Sequence, residues 1–520
     1  MNHHFTSSIE QFVVTATQMA AIEQRIFDSG MPVVALMEKV AGLITQRLLK
    51  LLKGVSTVGV IVGPGHNGGD ATVVARELHL KGYNIVIYRP LNKGKELTQA
   101  HLNYVESLGV PITNDLRELE GCEVIVDGLF GFGMTRPLEG ELAEAVETIN
   151  QWLMPVVSID LPSGIHTDTG EVLGSAIAAD YTFCLGLWKR AFFQDQALPY
   201  LGKVALIDCG IPLADVEAVV RESSVVKPMS AKLARSLLPL PRPLVTHKYK
   251  QGHLLIIAGS YQYAGSVILA GLGARKSGVG MLSIAAPVSL KSMLITHLPE
   301  ALIIDCPETE KGAIAELPSA ATQWEKYSTV AVGPGLTLEA RSLFPSILDA
   351  PTPLVIDADG LNLLAEMTPT KALKSRSEPT ILTPHPGEFR RLFPDLDSSD
   401  TLTKVQTAAE QTNSCILLKG ARSAISGKDQ ETWVISESTP ALARGGSGDV
   451  LTGLLSGLVA QDHSKNLSTS TLTAVAATWH AQAGIIASQQ ESELGVDAFT
   501  LTQYLTHFVT DNQQRITNNQ

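Results

Sequence analysis

The sequence has few cysteines, no apolar run long enough to span a membrane and no surplus of positive charge. Its five cysteines, among 520 residues, are scattered and form no Cys-x-x-Cys pair, which argues against zinc and favours free thiols in a reducing compartment. The formal net charge of −12 argues against nucleic acid or an anionic membrane as the main partner. The first residues lack the basic and then apolar layout of a signal peptide. We therefore expect a cytoplasmic protein.

What the sequence has is 45% hydrophobic residues, enough for large buried cores. Apolar, strand-like runs alternate with helical stretches in two parts of the chain, residues 1–215 and 247–520. Between them, residues 216–246 lose the alternation and include a proline-rich stretch, which predicts a linker. Strands that are apolar throughout and separated by helices predict, in each part, a largely parallel α/β sheet covered by helices on both faces.

Polar residues and glycines gather where the predicted strands end. In open α/β sheets that edge is where ligands bind, so each part has its own candidate site. The predicted strands lie in the runs TVGVIVGPG, NIVIYRP, CEVIVDGLFG, VVSIDLPSG, YTFCLGL and KVALIDCG of the first part, and HLLIIAGS, VGMLSIAAP, STVAVGPGL, PLVIDADGL, PTILTPHPGE and SCILLKGA of the second.

The first candidate site begins in the stretch GPGHNGGDA, residues 63–71. Its glycine spacing matches a dinucleotide-binding loop, which allows an NADP-binding Rossmann domain with Arg89 at the 2′-phosphate. Asp70 argues against that interpretation, because a carboxylate at the start of a helix would repel a pyrophosphate. Alternatively, Asp70 only caps the helix.

Two further aspartates, Asp127 and Asp160, follow predicted strands. A single aspartate in such a place often forms a turn. Together with Asp70, Asn67 and Ser163, however, they would meet at one edge of the sheet. Oxygen atoms of Asn, Asp and Ser suit a hard cation, and an aspartate that remains free can act as a general acid or base.

The motifs NGGDA, DGLFGFG and IDLPSG resemble those of the N-terminal domain of bifunctional NAD(P)H-hydrate repair enzymes. The resemblance implies a Rossmann-like, three-layer NAD(P)HX epimerase domain that interconverts the R and S forms of hydrated NADH and NADPH. It implies a potassium ion near Asn67, Asp127 and Ser163, and we predict Asp160 as the acid or base at the hydrated carbon. It also implies that the substrate contacts Asp160 and two glycine-rich segments: His66, Asn67, Gly68, Gly69, Asp70, Gly131, Phe132, Gly133, Met134, Thr135, Arg136 and Pro137.

The chain departs from the usual residues of that family at Lys39, Val40, His66 and Ala71. Related domains also occur as non-catalytic interaction modules, and loss of the strand-end aspartates would favour such a scaffold. Those aspartates are all present here, which favours an enzyme.

The second candidate site is the stretch ARGGSGDVLTG, residues 443–453. Gly445, Gly446, Ser447 and Gly448 form a cradle before an apolar helix, where backbone N–H groups can hold a phosphate. A carboxylate at Asp449 would be out of place unless the site also needs a base. Phosphoryl transfer needs both, because donors stabilise the phosphate while a base takes the proton of the acceptor hydroxyl. The alternative is that Asp449 only sits in a first helical turn, where acids are favoured.

The runs HLLIIAGSYQYAGS, AVGPGL, TPHPGE, LKGA and GGSGDVLTG occur in the order found in the ADP-dependent NAD(P)HX dehydratase, a ribokinase-like α/β domain. With the first part, the resemblance covers about residues 11–510. It implies that Ala264, Gly335, His385 and Asp449 contact the hydrated nicotinamide nucleotide. ADP or AMP would contact Lys419, Gly420, Ala421, Arg422, Ser423 and Gly448. Arg444 stands where the family usually has Thr or Ser.

The reaction implied is conversion of NAD(P)HX and ADP to NAD(P)H, AMP and phosphate. We predict that Asp449 deprotonates the hydroxyl at C6, that the β-phosphate of ADP moves to it past the amides of Gly445 to Gly448, and that phosphate then leaves. Magnesium is expected to neutralise phosphate charge, and the family implies a homo-oligomer. Two alternatives stay open: a ribokinase-type small-molecule kinase fused to a nucleotide-binding scaffold domain, and a nucleotide sensor without turnover.

Overall fold

The computed structural model describes residues 9–221, 225–396, 398, 400–461 and 467–517, with side chains as far as residue 510. The chain divides into two compact units, Met1–Val226 and Lys227–Gln520. Both are α/β units with largely parallel sheets, which confirms the predicted fold class. In the described part of the chain, no helix is both long enough and apolar enough to span a bilayer.

The first unit contains strands and helices in near alternation. Its strands are β1 (Val13–Val14), β2 (Thr57–Val62), β3 (Asn84–Tyr88), β4 (Ile112–Thr113), β5 (Val124–Gly128), β6 (Val156–Ile159), β7 (Tyr181–Leu185), β8 (Trp188–Lys189) and β9 (Lys203–Ile207). Its helices are α1 (Ala16–Asp28), α2 (Val33–Leu51), α3 (His66–Leu80), α4 (Glu96–Ser107), α5 (Glu141–Gln151), α6 (Leu198–Leu201) and α7 (Leu213–Val220).

The sheet of this unit has the order β4-β3-β2-β5-β6-β7-β9 and is parallel throughout. Val58, Val60 and Val62 of β2 pack on one face with α2 and α3, whereas Ile61 packs on the other face with residues of α5. The chain leaves β2 toward β3 and returns to β5 on the other side. The crevice at such a switch point, outside the carboxyl ends of the strands, is where open α/β sheets bind ligands.

A short parallel ribbon, which sequence patterns did not predict, joins β1 to β8 by the pairs Val13–Trp188 and Val14–Lys189. Next to it, Met19 and Ile22 of α1 are buried against Leu187 in a small separate core. The ribbon and this core fix α1 beside the carboxyl edge of the sheet.

The second unit follows β10 (Val226–Pro228), which lies at the boundary. Its strands are β11 (His253–Ile257), β12 (Met281–Pro287), β13 (Leu302–Cys306), β14 (Thr329–Val332), β15 (Leu354–Ile356), β16 (Thr380–Leu382), β17 (Cys415–Leu418), β18 (Ala424–Ser426) and β19 (Thr432–Val434). Its helices are α8 (Ala231–Leu237), α9 (Ala264–Ser277), α10 (Lys291–His297), α11 (Ser319–Thr322), α12 (Phe344–Leu348), α13 (Asp359–Glu366), α14 (Pro369–Leu373), α15 (Pro386–Leu392), α16 (Thr401–Thr412), α17 (Ser447–Ala460), α18 (Thr469–Glu491) and α19 (Ala498–Thr517).

The sheet of the second unit runs β13-β12-β11-β14-β15-β16-β17-β18-β19. It is parallel from β13 to β17, and the last three strands form an antiparallel meander. The chain adds β12 and β13 on one side of β11 and then continues with β14 on the other side, so the switch point of this sheet lies at β11. The parallel strands β11 to β17 all end at one edge of this sheet, where open α/β sheets bind ligands.

The segment 216–246 contains more regular structure than a linker pattern predicts. It includes the end of α7 and the whole of α8, whose Ala234 is buried in the core of the second unit. The stretch after α8 is exposed at Leu244 and Val245.

Candidate active sites

The first turn of α3 depends on glycine for its close packing. A Cβ on Gly68 would lie 2.0 Å from the carbonyl oxygen of Gly63, and one on Gly69 would lie 2.6 Å from Cε of Met37. The hydroxyl of Thr98 on α4 donates to the carbonyl of Gly65 at 2.9 Å and ties the loop to a helix. The N-cap residue of α3 is Gly65, and Asp70 makes no cap hydrogen bond. Asp70 is thus available for another role.

A cavity of about 770 Å³ lies at this edge of the sheet. Eight of the residues predicted to contact the substrate line it: His66, Asn67, Asp70, Gly131, Phe132, Gly133, Met134 and Asp160. The structure does not place Gly68, Gly69, Thr135, Arg136 or Pro137 in its lining. Three charged lining residues were not predicted, namely Glu23 on α1, Lys95 before α4 and Lys189 at the end of β8.

Asp160 is held firmly in this cavity. Its backbone has a φ of +69°, an unusual conformation for a residue with a side chain, and one carboxylate oxygen accepts from the amide of Phe132 at 3.0 Å. The other oxygen forms an ion pair with Nζ of Lys189, which also donates to the carbonyl of Leu185 at 2.6 Å. Both side chains are almost fully buried, at 5% and 1% exposure. The aspartate predicted to act as acid or base therefore has a built-in cation partner.

Lys189 could have been noticed in the sequence. It follows the apolar strand YTFCLGL and precedes Phe192 and Phe193, so Lys189 and its neighbour Arg190 are two cations between buried segments. Burial lowers the pKa of Lys189, but the Asp160 carboxylate together with Cys184 and Glu23 outweighs that effect, and the net shift is upward. Lys189 is therefore charged.

Two acids of this cavity, Asp70 and Glu23, have raised pKa values. Burial raises the pKa of Asp70 well above its ordinary value, and the charges of Asp160 and Glu23 add to the rise. Burial also raises the pKa of Glu23 to about 7, against the opposing effect of Lys189. Nε2 of His66 lies 3.1 Å from Nζ of Lys95, and burial together with that cation lowers the pKa of His66. His66 is therefore neutral at pH 7.

Asp127 and Ser163 form one hydrogen-bonded group below the cavity. The Asp127 carboxylate accepts from the hydroxyl of Ser163 at 2.7 Å, its amide at 3.0 Å and the hydroxyl of Ser158 at 2.8 Å. Asp127 is completely buried, and no described cation forms an ion pair with it; burial raises its pKa. The side chain of Asn67 lies beside Asp160, since its Cγ and Oδ2 of Asp160 would both be 3.2 Å from a Cβ on Gly131, and its backbone oxygen would be 3.3 Å from a Cβ on Gly128, the residue after Asp127. A buried carboxylate surrounded by neutral oxygen ligands fits a monovalent cation by charge and by donor type.

In the second unit, the glycine cradle opens α17 as predicted. Gly446 has a φ of +91°, and a Cβ there would lie 2.5 Å from Cδ1 of Leu269, so only glycine fits. The carbonyl of Ser447 is 3.0 Å from Nε2 of the buried His480, which packs the cradle against α18. The guanidinium of Arg444 donates to the carbonyl of Leu494 at 2.6 Å. Helix N–H groups in a first turn have no helical partner, so the cradle can hold an anion.

Asp449 is half-buried in the first turn of α17. Burial raises its pKa to about 7, the nearby Asp357 adds to the rise, and a hydrogen bond from Ser266 together with Lys419 opposes it. In the described part of the chain, no lysine or arginine forms a direct ion pair with Asp449. Asp449 is thus a carboxyl that exchanges its proton close to neutral pH.

A buried ion pair that sequence analysis missed lies beside the cradle. Nζ of Lys419 is 2.8 Å from one oxygen of Asp357, and the hydroxyl of Thr452 donates to the other at 2.6 Å. Burial would raise the pKa of Asp357, but Lys419 and these hydrogen bonds reverse the shift and lower it. A Cβ on Gly448 would lie 3.5 Å from the same Nζ. The structure therefore puts a fixed positive charge next to the cradle.

The remaining predicted residues surround this centre on separate loops. Nδ1 of His385 accepts from the amide of Gly387 at 2.9 Å and caps α15, while Glu388 accepts from the amide of His385 at 2.8 Å. Ala264 is the first residue of α9, and Gly335, with a φ of +62°, packs against Tyr263. Gly420, Ala421, Arg422 and Ser423 form the turn between β17 and β18, where Ser423 Oγ accepts from the amide of Gly420 at 3.3 Å.

Each unit thus has the layout of an α/β enzyme that binds a nucleotide, with acids, glycines and cations at the carboxyl edge of its sheet. The family model described as YjeF-related protein N-terminus matches residues 33–191, and that described as NAD(P)H-hydrate dehydratase matches residues 254–507.

Similar proteins match nearly the whole length. A protein named bifunctional NAD(P)H-hydrate repair enzyme Nnr, from Synechocystis sp., is 52% identical over 96% of this chain and 95% of its own. One with the same name from Thermosynechococcus vestitus is 48% identical over 93% and 94%. The chain belongs to the family of bifunctional NAD(P)H-hydrate repair enzymes, as its motifs predicted.

Two solved structures match just over half of this chain. A Bacillus subtilis ADP/ATP-dependent NAD(P)H-hydrate dehydratase, co-crystallised with ATP and Mg²⁺, is 28% identical and covers 55% of this chain and 98% of its own, with a TM-score of 0.45. A ribokinase-like superfamily protein from Enterococcus faecalis is 23% identical and covers 55% and 96%, with a TM-score of 0.48.

Proposed function

We propose that this chain repairs hydrated NADH and NADPH with two active sites. The first unit epimerises the R and S forms of NAD(P)HX, and the second dehydrates the S form with conversion of ADP to AMP and phosphate. The observation that carries the proposal is the pairing of the cradle at residues 445–448 with Asp449, a carboxyl that has no cation bound directly to it in the described structure. Family membership supports it over a ribokinase-type kinase fused to a scaffold.

In the second site, Asp449 takes the proton from the hydroxyl at C6. Its pKa of about 7 suits a base that must both accept and release a proton near neutral pH. The hydroxyl oxygen then forms a bond to the β-phosphorus of ADP, the bond to the AMP oxygen breaks, and the cradle amides with Lys419 stabilise the transferred group. Phosphate leaves from C6 as the electron pair of N1 moves inward, and loss of the C5 proton restores the dihydropyridine ring.

In the first site, Asp160 is the acid or base at the hydrated carbon. Its carboxylate lines the cavity, and its ion pair with Lys189 and the amide of Phe132 fix its position. Burial raises the pKa of Asp70 well above its ordinary value and so favours the protonated form, and a protonated carboxyl can donate a hydrogen bond to a substrate oxygen. Nδ2 of Asn67 is buried without a partner and can donate to the substrate as well.

Asn67, Asp127 and Ser163 would hold potassium. When bound, that ion would supply the positive charge that the buried Asp127 otherwise lacks. Ser163 also accepts from the amide of Phe130 at 2.9 Å and so joins this group to the loop after β5. For magnesium, no cluster of three or more His, Cys, Asp or Glu residues suited to a metal occurs in the described parts of the chain. We therefore assign magnesium to the phosphates of the nucleotide and give it no protein ligand.

The nucleotide is proposed to be ADP, and the working form a homo-oligomer in the cytoplasm. Five buried, unbridged cysteines fit a reducing compartment.

The test is to mix purified protein with an epimer mixture of hydrated NADH and with ADP. We expect recovery of the dihydronicotinamide absorbance, with AMP and phosphate formed in amounts equal to the NADH. ATP in place of ADP tests the nucleotide. A small-molecule kinase would instead accumulate a stable phosphorylated product, and a scaffold would bind without turnover; either result would refute the repair function.

A further inference from the structure

Glu23 is a charged residue of the first cavity to which neither the sequence motifs nor the proposed chemistry gives a role. It lies on α1, outside the strand-end loops, and its side chain lines the same cavity as Asp160 and Lys189. Within the described ranges, its carboxyl has no hydrogen bond and no ion pair, although the side chain is half-buried. A carboxyl held in such a place without a partner is free to act on a ligand.

The position of Glu23 is fixed by the fold. Its neighbours Met19 and Ile22 are 3% and 0% exposed and anchor α1 in the core next to the β1–β8 ribbon. The same ribbon carries Lys189, the ion-pair partner of Asp160. The β1–β8 ribbon therefore helps to position both carboxyl groups, that of Glu23 on α1 and that of Asp160 after β6, at one cavity.

The charged groups that act on Glu23 come from several elements. They are Lys189 of β8, Asp160 after β6, Lys95 before α4 and Asp70 of α3. Burial outweighs the two lysines, so the pKa of Glu23 is raised to about 7. Asp160, by contrast, is in direct contact with an ammonium group. Two carboxyl groups in one cavity with such different surroundings are the usual arrangement of an acid with a base.

We propose that Glu23 is a second catalytic residue of the epimerase site and exchanges a proton with the ring nitrogen while Asp160 exchanges one with the C6 hydroxyl. The proposal rests on the epimerase function proposed above. Inversion at C6 by ring opening involves two proton transfers, one off the hydroxyl and one onto N1, and two separate carboxyl groups can each catalyse one of them.

The step balances as follows. C6 of the hydrated ring is bonded to a hydroxyl and to N1. The hydroxyl proton moves to Asp160, the C6–N1 bond breaks, and N1 takes the proton of Glu23, which leaves an open-chain aldehyde. After rotation about C5–C6, N1 attacks the other face of the carbonyl, its proton returns to Glu23, and Asp160 protonates the oxygen. No atom or electron is gained or lost, and both carboxyl groups regain their starting state.

The experiment supplies the R epimer without ADP and follows formation of the S epimer by chromatography, with spontaneous inversion subtracted. We expect Glu23→Gln to slow enzymatic epimerisation about 100-fold or more, as loss of an acid–base group does. Glu10→Gln is the matched control, since Glu10 is exposed in the same unit, and it should leave the rate unchanged. Dehydration of the S epimer with ADP should be unchanged in both variants and reports that the chain is folded.

The pH profile separates catalysis from packing. For the wild type, kcat/KM for epimerisation should fall as pH rises through about 7, because Glu23 then loses the proton it must donate. Glu23→Gln should lack that limb, and Glu23→Asp should keep it at a lower rate, which also covers the case of a poorly folded Gln variant. The proposal would be overturned if Glu23→Gln epimerised at the wild-type rate, or if its kcat/KM showed the same fall as pH rises through about 7. No epimerisation by the wild type would instead overturn the proposed function of the first unit.

Discussion

The two units place an aspartate at the carboxyl edge of a parallel sheet and surround it in opposite ways. Asp160 is nearly fully buried and bound directly to Lys189. Asp449 is half-buried, and the neighbouring lysine, Lys419, is bound to Asp357 instead. The difference teaches that the same edge of the same kind of sheet can fix a carboxylate in place or leave a carboxyl free to titrate near pH 7, depending on which acid holds the lysine.

The proposed reactions give a reason for this difference. In the second site the ammonium group of Lys419 is proposed to stabilise the transferred phosphate, and its ion pair with Asp357 holds it beside Gly448. In the first site no phosphate is transferred, and the lysine is free to orient the aspartate. Variants that remove one partner at a time should therefore affect the two sites differently.

The largest effect is expected from Asp449→Asn. Without a base for the C6 hydroxyl, ADP-dependent recovery of NADH from the S epimer should fall by about 10³-fold or more. Epimerisation should be unchanged. Asp349→Asn, at an exposed position of the second unit, serves as the control and should keep full activity. Substantial recovery by Asp449→Asn would mean that another group is the base.

Next comes Asp160→Asn. The first site should lose about 10²-fold or more in epimerisation, so an epimer mixture should show fast recovery of one form and a stall on the other. The control is the exposed Asp28→Asn. Because Asp160→Asn leaves the ammonium of Lys189 buried and unpaired, a destabilisation of about 3–5 kcal/mol is expected, measured by chemical unfolding.

The double variant Asp160→Asn/Lys189→Met separates these two effects. It should regain much of the lost unfolding free energy while epimerisation stays absent. If the double variant epimerised normally, the pair would be structural and the role of Asp160 would be refuted.

A smaller effect is expected from Lys419→Met. Without the fixed charge of Lys419 beside the cradle, the site should bind and transfer the phosphate less well. We expect kcat/KM for ADP to fall by about 10- to 100-fold, because a hydrogen bond to a charged group contributes about that much. Lys428→Met, an exposed change in the β18–β19 turn, is the control and should leave kcat/KM for ADP unchanged. An equal loss in both variants would exclude a specific role for Lys419.

The smallest expected effect concerns stability. The folded chain keeps the Asp449 proton up to about pH 7, whereas the unfolded chain releases it near 3.8, so the free energy of unfolding falls as pH rises between those values. Asp449→Asn should remove that fall and be more stable than the wild type by about 1–3 kcal/mol at pH 8. Thermal melts at pH 4 and pH 8 measure it; an equal gain at both would show that the carboxylate charge is not the cause.

Sequence patterns predicted the strands and the main glycine loops because their signals are local. Apolar runs gave six strands of each sheet but missed β4 of the first and β13, β18 and β19 of the second, and GGSGD before an apolar stretch gave the start of α17. The ribbon of β1 and β8 was missed because two-residue strands have no periodicity to read. Glu23 was missed for a related reason: it lies in an ordinary amphipathic helix, forty residues before the first glycine motif.

By itself, the sequence determined the α/β class, the order of the elements and which aspartates end strands, because hydrophobic periodicity and glycine placement act over a few residues. Only the tertiary structure decided which lysine pairs with which acid, and hence that Asp160 is bound to a cation while Asp449 is not. Such pairs join residues 29 and 62 positions apart. Their electrostatic effect depends on distance and burial in space, which no spacing along the chain specifies.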